Sequence, residues 1–378
     1  MNQTTLQSKN NESQQTLYMA LELSLGKWKI AFGNGINKRI ITIEGGDINR
    51  LLEEVEKAKK KFGMPDDVQI ISCYEAGRDG FWLHRLLTDI GIQNIVVDSA
   101  SIEVNRRARH AKTDNIDAIK LLEMLVRYQN GETKVWSVLY IPTASEEDDR
   151  RLHRELERLK KERVAHLNRI RSLLILQGAR EEPSSNLEGY LNSIKLLDGS
   201  PFPESLKQEI LRECERLRIV ENQIRSLEKE QRERLKVADT ENLKKVILLA
   251  TLCGIGNASA WVFVMEFLGW RKFNNRKEVA SAAGLAPTPY NSGGSQREQG
   301  ISKSGNNRIR SMIVEIAWFW LRYQPNSKLT IWFNERFAKG GTRMRRIGIV
   351  ALARRLLIDL WRYLENGVLP EGAKIKSA

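Results

Sequence analysis

The chain has 378 residues, 41% of them hydrophobic and 29% charged, which is enough to build two or three domains with cores of their own. Its net charge of +14 favours a polyanionic partner, because lysine and arginine release counterions when they bind phosphates. Three widely spaced cysteines argue against a zinc site or a disulfide framework and fit a reducing cytoplasm. No apolar stretch of about 18 residues occurs, so no membrane segment is predicted.

The positive charge is concentrated near the carboxyl end. Residues 297–378 contain 16 lysines and arginines against 6 acidic residues, a difference of +10 out of the total of +14. A solvated basic helix face is the ordinary explanation for such a run. Trp318, Trp320, Trp332 and Trp361 are interleaved here, however, and some of these rings must contribute to a core. We therefore predict a folded basic domain.

In chain order, residues 1–16 are rich in Gln, Asn and Ser and are predicted to be disordered. Short apolar runs and helical spacing then predict strands at 17–23, 28–32, 39–43, 68–73 and 95–97, and helices at 48–62, 79–90 and 114–127. The order βββαβαβα is that of RNase H-like folds, an inference by fold analogy. We assign residues 17–144 to this α/β domain.

Residues 145–240 differ in character. Apolar or histidine residues recur at close to seven-residue spacing among dense charges, at Leu152, Leu156, Leu159, His166, Ile170 and Leu173, and again at Leu206, Ile210, Leu217, Ile224 and Leu227. The stretch between them, 178–203, contains three prolines and several glycines, which end helices. This pattern predicts an antiparallel coiled-coil hairpin that could support dimerisation.

Residues 241–368 are predicted to form a helical C-terminal domain, followed by a tail at 369–378. Near its start, the sequence from Leu252 to Gly256 resembles the turn of a helix-hairpin-helix motif. Gly254 and Gly256 would let backbone amides approach a DNA phosphate. A plain corner between two helices that needs glycine explains the pattern equally well.

Four acidic residues suggest a metal site. Glu22 and Glu75 follow the first and fourth predicted strands, which lie near the centre of a sheet of this order. Asp114 and Asp117 are three residues apart and share one helix face. Four carboxylates in one pocket repel one another unless cations neutralise them, and Mg²⁺ with phosphate oxygens is the usual solution. Each acid alone could be a solvated surface group, and Asp114 would be favoured at a helix start in any case.

Basic residues lie just before the second pair of acids. They are Arg106, Arg107, Arg109, His110 and Lys112. Beside a metal pocket they would hold a nucleic-acid backbone, whereas an isolated run of this kind is most often only solvated.

The glycine-rich segment 284–306 is predicted to be a loop throughout. Ser292 precedes Gly293, and the cations of this region are Arg297, Lys303, Arg308 and Arg310. The functional interpretation is that Ser292 attacks a phosphodiester while these cations stabilise the developing charge. The alternative is an ordinary turn. No motif of a P-loop ATPase, zinc protease or α/β-hydrolase occurs.

Several stretches together resemble one family. They are Ala20-Leu21-Glu22-Leu23-Ser24, Tyr74-Glu75-Ala76-Gly77, Lys112-Thr113-Asp114-Asn115-Ile116-Asp117-Ala118, Gly254-Ile255-Gly256, Gly284-Leu285-x-Pro287, Ser292-Gly293 and Ile301-Ser302-Lys303-x-Gly305-Asn306-x-x-Ile309-Arg310. Over about residues 17–366 the chain looks like the DEDD transposases of the insertion-sequence 110 family, 1111 subgroup. These are RNA-guided serine recombinases related to Piv-type invertases.

The resemblance implies a RuvC-like N-terminal domain, a coiled-coil middle and a C-terminal transposase domain. It implies Mg²⁺ held by Glu22, Glu75, Asp114 and Asp117, with Ser292 as the nucleophile. An element-encoded bridge RNA would pair with donor and target DNA, and dimers would assemble into tetramers with shared active sites in the bacterial cytoplasm, on the nucleoid. The chain departs from the family at Glu22, where Asp is usual, so the metal geometry there is looser.

Two other functions remain open from the residues. In a RuvC-like nuclease or resolvase, metal-activated water would cut DNA and Ser292 would only shape a loop. In a basic scaffold that binds RNA or DNA, the carboxylates would be structural. Formation of a covalent protein–DNA adduct separates the transposase from both.

Overall fold

The computed structural model describes residues 15–102, 114–179, 187–196, 199–292 and 295–376. The chain divides between Ile141 and Pro142 into two compact units. The predicted N-terminal disorder at 1–16 lies almost wholly outside the described residues, as does the predicted basic cluster of Arg106, Arg107, Arg109 and Lys112. Within the described ranges, no helix has the length and apolar character that crossing a membrane requires.

The first unit is built on a five-stranded sheet. In chain order the strands are β1 (Thr16–Glu22), β2 (Lys27–Gly33), β3 (Lys38–Glu44), β4 (Gln69–Glu75) and β5 (Gln93–Val97). Across the sheet the order is β3-β2-β1-β4-β5. The central strand β1 is antiparallel to β2 and parallel to β4. All five strands were predicted to within a few residues.

The described part of this unit contains three α-helices, namely α1 (Ile48–Phe62), α2 (Trp82–Asp89) and α3 (Asp114–Gln129). The ends of α1 follow from local chemistry. The Asp47 side chain accepts a hydrogen bond from the Arg50 amide, and Gly63 ends the helix with a φ of 65°. The predicted order of strands and helices is confirmed, whereas the RuvC-like assignment stays a prediction.

The two faces of the sheet are covered by different helices. Leu17 and Leu21 of β1 belong to a core with α1 and α2, whereas Ala20 belongs to a core with α3. This division follows from the two-residue period of a strand, which sends alternate side chains to opposite faces. The same parity decides the face on which a side chain at the strand end lies.

The second unit begins with a helical hairpin. Its helices are α4 (Ala144–Asp148), α5 (Arg151–Ile175), α6 (Leu187–Ser193) and α7 (Glu204–Val237). Ion pairs of 2.9 Å from Lys160 to Glu228 and 2.8 Å from Arg169 to Glu209 show that α5 and α7 run antiparallel. The two predicted long helices are therefore present. Their supercoiling as a coiled coil stays a prediction.

The remainder of the unit is mainly helical. It contains α8 (Glu241–Ala250), α9 (Asn257–Phe263), α10 (Arg276–Ala282), α11 (Asn307–Tyr323), α12 (Lys328–Phe333) and α13 (Thr342–Asn366). α9 and α12 continue into single π-helical turns, Val264–Leu268 and Asn334–Ala338. Trp320 is fully buried in the shared core, and its Nε1 donates to Ser327 Oγ at 2.9 Å. The basic C-terminal region is therefore folded, as predicted.

The prediction of a loop throughout residues 284–306 was wrong. β6 (Pro287–Ser292) pairs antiparallel with β7 (Ser295–Ile301), and Ser292 lies opposite Ser295. Two glycines between two runs that can pair favour a tight hairpin. The many polar side chains concealed this signal, because strand pairing uses backbone groups and needs no apolar pattern where the strands are not part of a core.

Candidate functional site

The predicted acids Glu22 and Glu75 end neighbouring parallel strands. The β1–β4 ladder runs in register up to the pair Leu21 and Tyr74, so Glu22 and Glu75 are the next residues of the two strands. Glu22 has the strand parity of Ala20, and Glu75 has that of Cys73, so both belong to the sheet face covered by α3. Glu22 is half-buried and Glu75 exposed. The fold therefore brings these two residues to one edge of the sheet.

Helix α3 begins at the same edge. Cys73 Sγ lies 3.8 Å from the Leu121 carbonyl, near the carboxyl end of β4. Further along α3, Glu123 forms an ion pair with Lys38 of β3. Lys38 lies opposite Gly33 of β2, and Gly33 in turn pairs with the amino end of β1. α3 thus runs antiparallel to β1 and β4. Asp117, half-buried one turn before Leu121, is consequently displaced towards the strand ends that carry Glu22 and Glu75.

Asp114 is the first residue of α3, and the structure describes its backbone but not its side chain. Among the side chains that are described, no group of three or more His, Cys, Asp or Glu is arranged to hold a metal ion. The backbone places all four predicted acids on elements that meet at one edge. Metal binding by the four residues stays a prediction.

The predicted nucleophile Ser292 is the last residue of β6, immediately before Gly293 and Gly294. At the base of this hairpin, the Ser302 amide donates to the Ala286 carbonyl at 2.8 Å. The Lys303 amide donates to the Gly284 carbonyl at 3.1 Å. Backbone hydrogen bonds therefore join the two segments at the base of the hairpin.

Two glycines let the segments under the hairpin pack closely. Gly305 has a φ of 122°, and a Cβ there would lie 2.4 Å from the Ala282 carbonyl oxygen. Gly284 has a φ of 69°, and a Cβ there would lie 2.5 Å from Arg310 Nη1. Side chains are excluded at both positions by conformation and by space. These glycines of the family pattern thus have a structural role at the base of the serine hairpin.

The cations predicted to bind nucleic acid near Ser292 lie in different settings. Arg310 donates to the Lys303 carbonyl at 2.9 Å and to Asn307 Oδ1 at 2.7 Å, so it fastens the hairpin base to α11. Arg308 forms an ion pair with Glu157 of α5 at 2.5 Å. Lys303 is exposed, and Arg297 lies in β7, where only its backbone is described. Nucleic-acid binding by all four stays a prediction.

The loop with Gly254 and Gly256 joins α8 to α9. The amides of Cys253, Ile255 and Gly256 donate to Lys374 O, Leu252 O and Ser259 Oγ, at 3.0, 3.1 and 3.2 Å. Gly254 has a φ of 91°, which a residue with a side chain rarely adopts. Three amides of this loop are therefore used within the chain. The geometry favours the helix-corner interpretation, and phosphate binding by the loop stays a prediction.

The predicted tail is folded back onto this loop. Ile375 forms a β-bridge with Leu252, and Lys376 Nζ donates to the carbonyls of Ala250 and Ile255 at 2.5 and 2.7 Å. A lysine ammonium at the Ala250 carbonyl, which ends α8, is electrostatically favourable. Residues 373–376 thereby stabilise the corner between α8 and α9.

Sequence reasoning missed Glu266, which lies in the π-helical turn after α9 and is only 3% exposed. His153 Nε2 lies 3.0 Å from its Oε2, and Arg154 binds both oxygens at 3.0 and 2.6 Å. Asn306 Nδ2 lies 3.3 Å from Oε1, and Asn306 Oδ1 caps α11 at the Ile309 amide. Glu266 therefore connects α5 with the segment between the serine hairpin and α11. A lone acid within an apolar run was the available signal.

The electrostatics of Glu266 are set by these partners. Burial by itself would raise the pKa of its carboxyl, but hydrogen bonds and charges from His153 and Arg154 outweigh that effect. The pKa of Glu266 consequently lies well below its usual value of 4.5. Glu266 is therefore an ionised carboxylate in the interior of the second unit.

Comparison with known proteins identifies the family. Residues 246–331 match the family described as "Transposase IS116/IS110/IS902 family". The chain is 40% identical to "Putative transposase y4rJ" of Sinorhizobium fredii, over 96% of this chain and 95% of that protein. It is 25% identical to "Transposase for insertion sequence element IS1328" of Yersinia enterocolitica, over 58% of this chain and 63% of that protein. The chain is a transposase of the IS116/IS110/IS902 family.

The predicted enzyme class is thereby confirmed, since transposases cut DNA and transfer it, and DNA is a partner of this transposase. The region that matches the family contains Ser292, the glycines at the hairpin base and Glu266. The predicted acids of the first unit lie outside that region.

Proposed function

We propose that this transposase breaks and rejoins DNA through a covalent bond between Ser292 and a DNA phosphate. Ser292 Oγ would attack phosphorus and lose its proton, while the bond from phosphorus to one DNA oxygen breaks and that oxygen takes up a proton. A hydroxyl of another DNA end then displaces the serine. Because one phosphoester is exchanged for another, no nucleotide cofactor is required.

The observation that carries this proposal is the position of Ser292 in the hairpin. It is the last residue of β6 and lies opposite Ser295 of β7, while the base of the hairpin is fastened by backbone hydrogen bonds and by Arg310. A nucleophile at the end of a strand whose base is firmly held could be presented to a phosphate of DNA. The lysine and arginine residues of the same segment would stabilise the phosphorane charge.

We further propose that Glu22, Glu75, Asp114 and Asp117 hold Mg²⁺ in a RuvC-like pocket. The donor set fits this ion, since all four residues offer carboxylate oxygens, which Mg²⁺ prefers. The adjacent ends of β1 and β4, and the course of α3 towards them, support the assignment. When bound, the ion would neutralise phosphate charge and orient the scissile group. Without the cation, the four carboxylates would repel the phosphates of DNA. DNA would therefore bind this pocket together with Mg²⁺.

The guided mechanism and the assembly are also proposals. A structured bridge RNA encoded by the element would select donor and target DNA by base pairing. Dimers would assemble into a tetramer in the bacterial cytoplasm, on the nucleoid, with Ser292 of one subunit completing the acid pocket of another. The positive charge of the chain and the long exposed helices α5 and α7 support these partners.

The test of the nucleophile is Ser292→Ala, with Ser295→Ala as the matched control from the opposite strand of the same hairpin. Each protein is incubated with element-end DNA, the cognate RNA and Mg²⁺, and then run on a denaturing gel. We expect a protein–DNA adduct from the parent and from Ser295→Ala, and none from Ser292→Ala, although Ser292→Ala still binds DNA. An adduct from Ser292→Ala at the parental rate would remove Ser292 from the mechanism. Cleavage by that variant without any adduct would favour a metal-dependent nuclease or resolvase.

The shared active site has a test of its own. An Asp117→Asn variant and a Ser292→Ala variant are each expected to be inactive, and their mixture is expected to regain strand exchange through composite sites. Co-purification of differently tagged chains verifies that the two variants assemble. If they assemble and never complement, each subunit holds a complete site.

A further inference from the structure

A strongly basic surface lies at the start of α13. It consists of Arg336, Lys339, Arg343, Arg345 and Arg346, and is called the basic patch below. All five residues are exposed. In the described part of the chain none of the five is in an ion pair, whereas exposed arginines of the helical hairpin such as Arg216 and Arg234 each pair with a glutamate at 2.7 and 2.6 Å. Within the described residues, no carboxylate at ion-pair distance therefore neutralises the charge of the patch.

The clustering of like charges in the basic patch is unfavourable for the isolated chain. The first turn of α13 contains no acidic residue. Arg343, Arg345 and Arg346 instead place three cations where the helix dipole is already positive, and these cations also repel one another. Local stability would favour Asp or Glu at these positions. The charge thus opposes folding and is explained by an anionic ligand outside the chain.

Close packing joins the two segments of the patch into one surface. A Cβ at Gly348 of α13 would lie 2.5 Å from Cγ of Phe337, so the π-helical turn Asn334–Ala338 touches the helix backbone. Phe337 is buried in the core between them. Arg336 and Lys339, next to Phe337 in sequence, are therefore held beside the first turns of α13.

The connection between α12, with its π-helical turn, and α13 is as short as the connections in helix-turn-helix motifs. α12 and its π-helical turn end at Ala338, three residues follow, and α13 begins at Thr342. Two of the three residues are Gly340 and Gly341, and a Cβ at Gly341 would have no atom within 4 Å. In helix-turn-helix proteins the second helix of such a pair enters the major groove with its first residues. The open backbone at Gly341 leaves room for a phosphate there.

We infer that the basic patch binds duplex DNA, with the first two turns of α13 in the major groove and Arg336 and Lys339 on the flanking phosphates. A duplex is favoured over single-stranded nucleic acid because Phe337, the one aromatic ring within residues 336–346, is buried and cannot stack on bases. The exposed apolar side chains of this turn, Met344 and Ile347, can contact thymine methyl groups. The inference rests on DNA as a partner of the family and is independent of the chemistry at Ser292.

The experiment compares two full-length variants that lose the same charge. One is Arg343→Gln/Arg345→Gln/Arg346→Gln. The control is Arg169→Gln/Arg216→Gln/Arg234→Gln, whose arginines already pair with glutamates in the helical hairpin. Binding to a labelled element-end duplex is measured by fluorescence anisotropy over a series of salt concentrations. Melting curves by circular dichroism verify the fold.

For the patch variant we expect the slope of log affinity against log salt to become shallower by about 2 to 3, because each lost phosphate contact removes about 0.9. Its affinity at physiological salt should fall roughly tenfold or more. Its melting temperature should equal or exceed that of the parent, since like charges leave a helix amino end. The control should change the slope far less. Replacing the same three arginines by lysine should restore most of the slope.

Three results would overturn the inference. The first is a patch variant with the parental slope and affinity for the duplex. The second is an equal loss in the control variant, which would show an effect of net charge alone. The third is unchanged duplex binding together with lost binding to the element-encoded RNA, which would make the patch an RNA surface. None of these results bears on the adduct formed by Ser292, which is tested separately.

Discussion

Two groups of acidic residues in this transposase have opposite surroundings. Glu266 is buried in the second unit, and His153, Arg154 and Asn306 lie within hydrogen-bond distance of its oxygens. Glu22 and Glu75, by contrast, end adjacent strands at a sheet edge of the first unit. The first carboxylate is matched by donors of the chain itself. At the sheet edge, the fold brings Glu22 and Glu75, two groups of the same sign, to the ends of neighbouring strands.

The difference indicates what each group is for. A buried acid that is satisfied by its own protein stabilises one arrangement of the backbone, and its removal leaves cations without a partner. Acids brought together at a sheet edge repel one another, which lowers the stability that they can contribute. We propose that these acids serve a ligand, the Mg²⁺ assigned to them above. The comparison predicts that substitutions at the edge will affect activity, and that substitutions around Glu266 will affect stability.

The largest effect is expected from Asp117→Asn and Asp114→Asn. Each should lower DNA cleavage about a hundredfold or more, since a metal ligand contributes several kcal/mol to the transition state. The melting temperature of Asp117→Asn should stay the same or rise slightly, because a repelling charge is removed, whereas that of Asp114→Asn should change little, because Asp114 also loses a favourable interaction with the helix start. Glu123→Gln, further along the same helix and paired with Lys38, is the control and should cleave normally. Unchanged Mg²⁺ titrations of cleavage for both variants would remove these acids from metal binding.

Gly305→Ala should lower the free energy of unfolding by about 3 kcal/mol, because the new Cβ meets the Ala282 carbonyl at 2.4 Å in a backbone conformation that disfavours side chains. Gly300→Ala is the control, since Gly300 also has a positive φ of 88° but has no atom within 4 Å of its Cβ position. It should cost only about 1 kcal/mol from conformation alone. Urea denaturation measures both. Equal losses would show that close packing under the hairpin contributes nothing.

Glu266→Gln should lower the free energy of unfolding by about 2 to 3 kcal/mol, since it leaves Arg154 and the buried His153 without a carboxylate. The partial exposure of Arg154, 43%, keeps the loss below that of a fully buried pair. Urea denaturation at neutral pH is again the measurement. Glu278→Gln serves as a control, because Glu278 accepts from Asn274 and Asn275 at an exposed helix start.

The difference in stability between the parent and Glu266→Gln should depend on pH. The pKa of Glu266 is lower in the folded chain than its usual value of 4.5, so the folded state holds fewer protons there than the unfolded state. Its stabilising contribution is complete above that value and is lost as the pH falls below it. The difference in stability between the parent and Glu266→Gln should therefore be constant near neutrality and shrink below about pH 4.5. A difference that grows on acidification would contradict the assignment.

The smallest effect is expected from Glu22→Asp. The change keeps the carboxylate and shortens the side chain by one methylene, which restores the residue usual in the resembled family. Cleavage should stay within about tenfold of the parent, because Mg²⁺ can exchange one protein ligand for water. Glu22→Gln is the matched loss of charge and should be much less active. Equal activity of the two variants would show that the carboxylate of Glu22 is not needed.

The strands and α-helices described in the first unit, from the strand at Thr16–Glu22 to the helix beginning at Asp114, could be predicted from local sequence. Apolar periodicity and capping residues are local signals, so they can be read from neighbouring positions. The long helices α5 and α7 followed from their repeat in the same way. The motifs that resemble the transposase family could also be recognised in this way, since their order along the chain is a property of sequence alone.

Other features depend on contacts between distant parts of the folded chain. The pairing of β6 with β7, the close approach of Gly305 to Ala282 and the fold-back of Lys376 onto the α8 corner depend on backbone contacts that no side-chain pattern records. Glu266 finds its partners 112 and 113 residues away in sequence. The basic patch exists as a surface because Gly348 lets Phe337 reach the backbone of α13. Such contacts join residues that are distant in sequence, and therefore the folded chain, rather than local propensity, determines them.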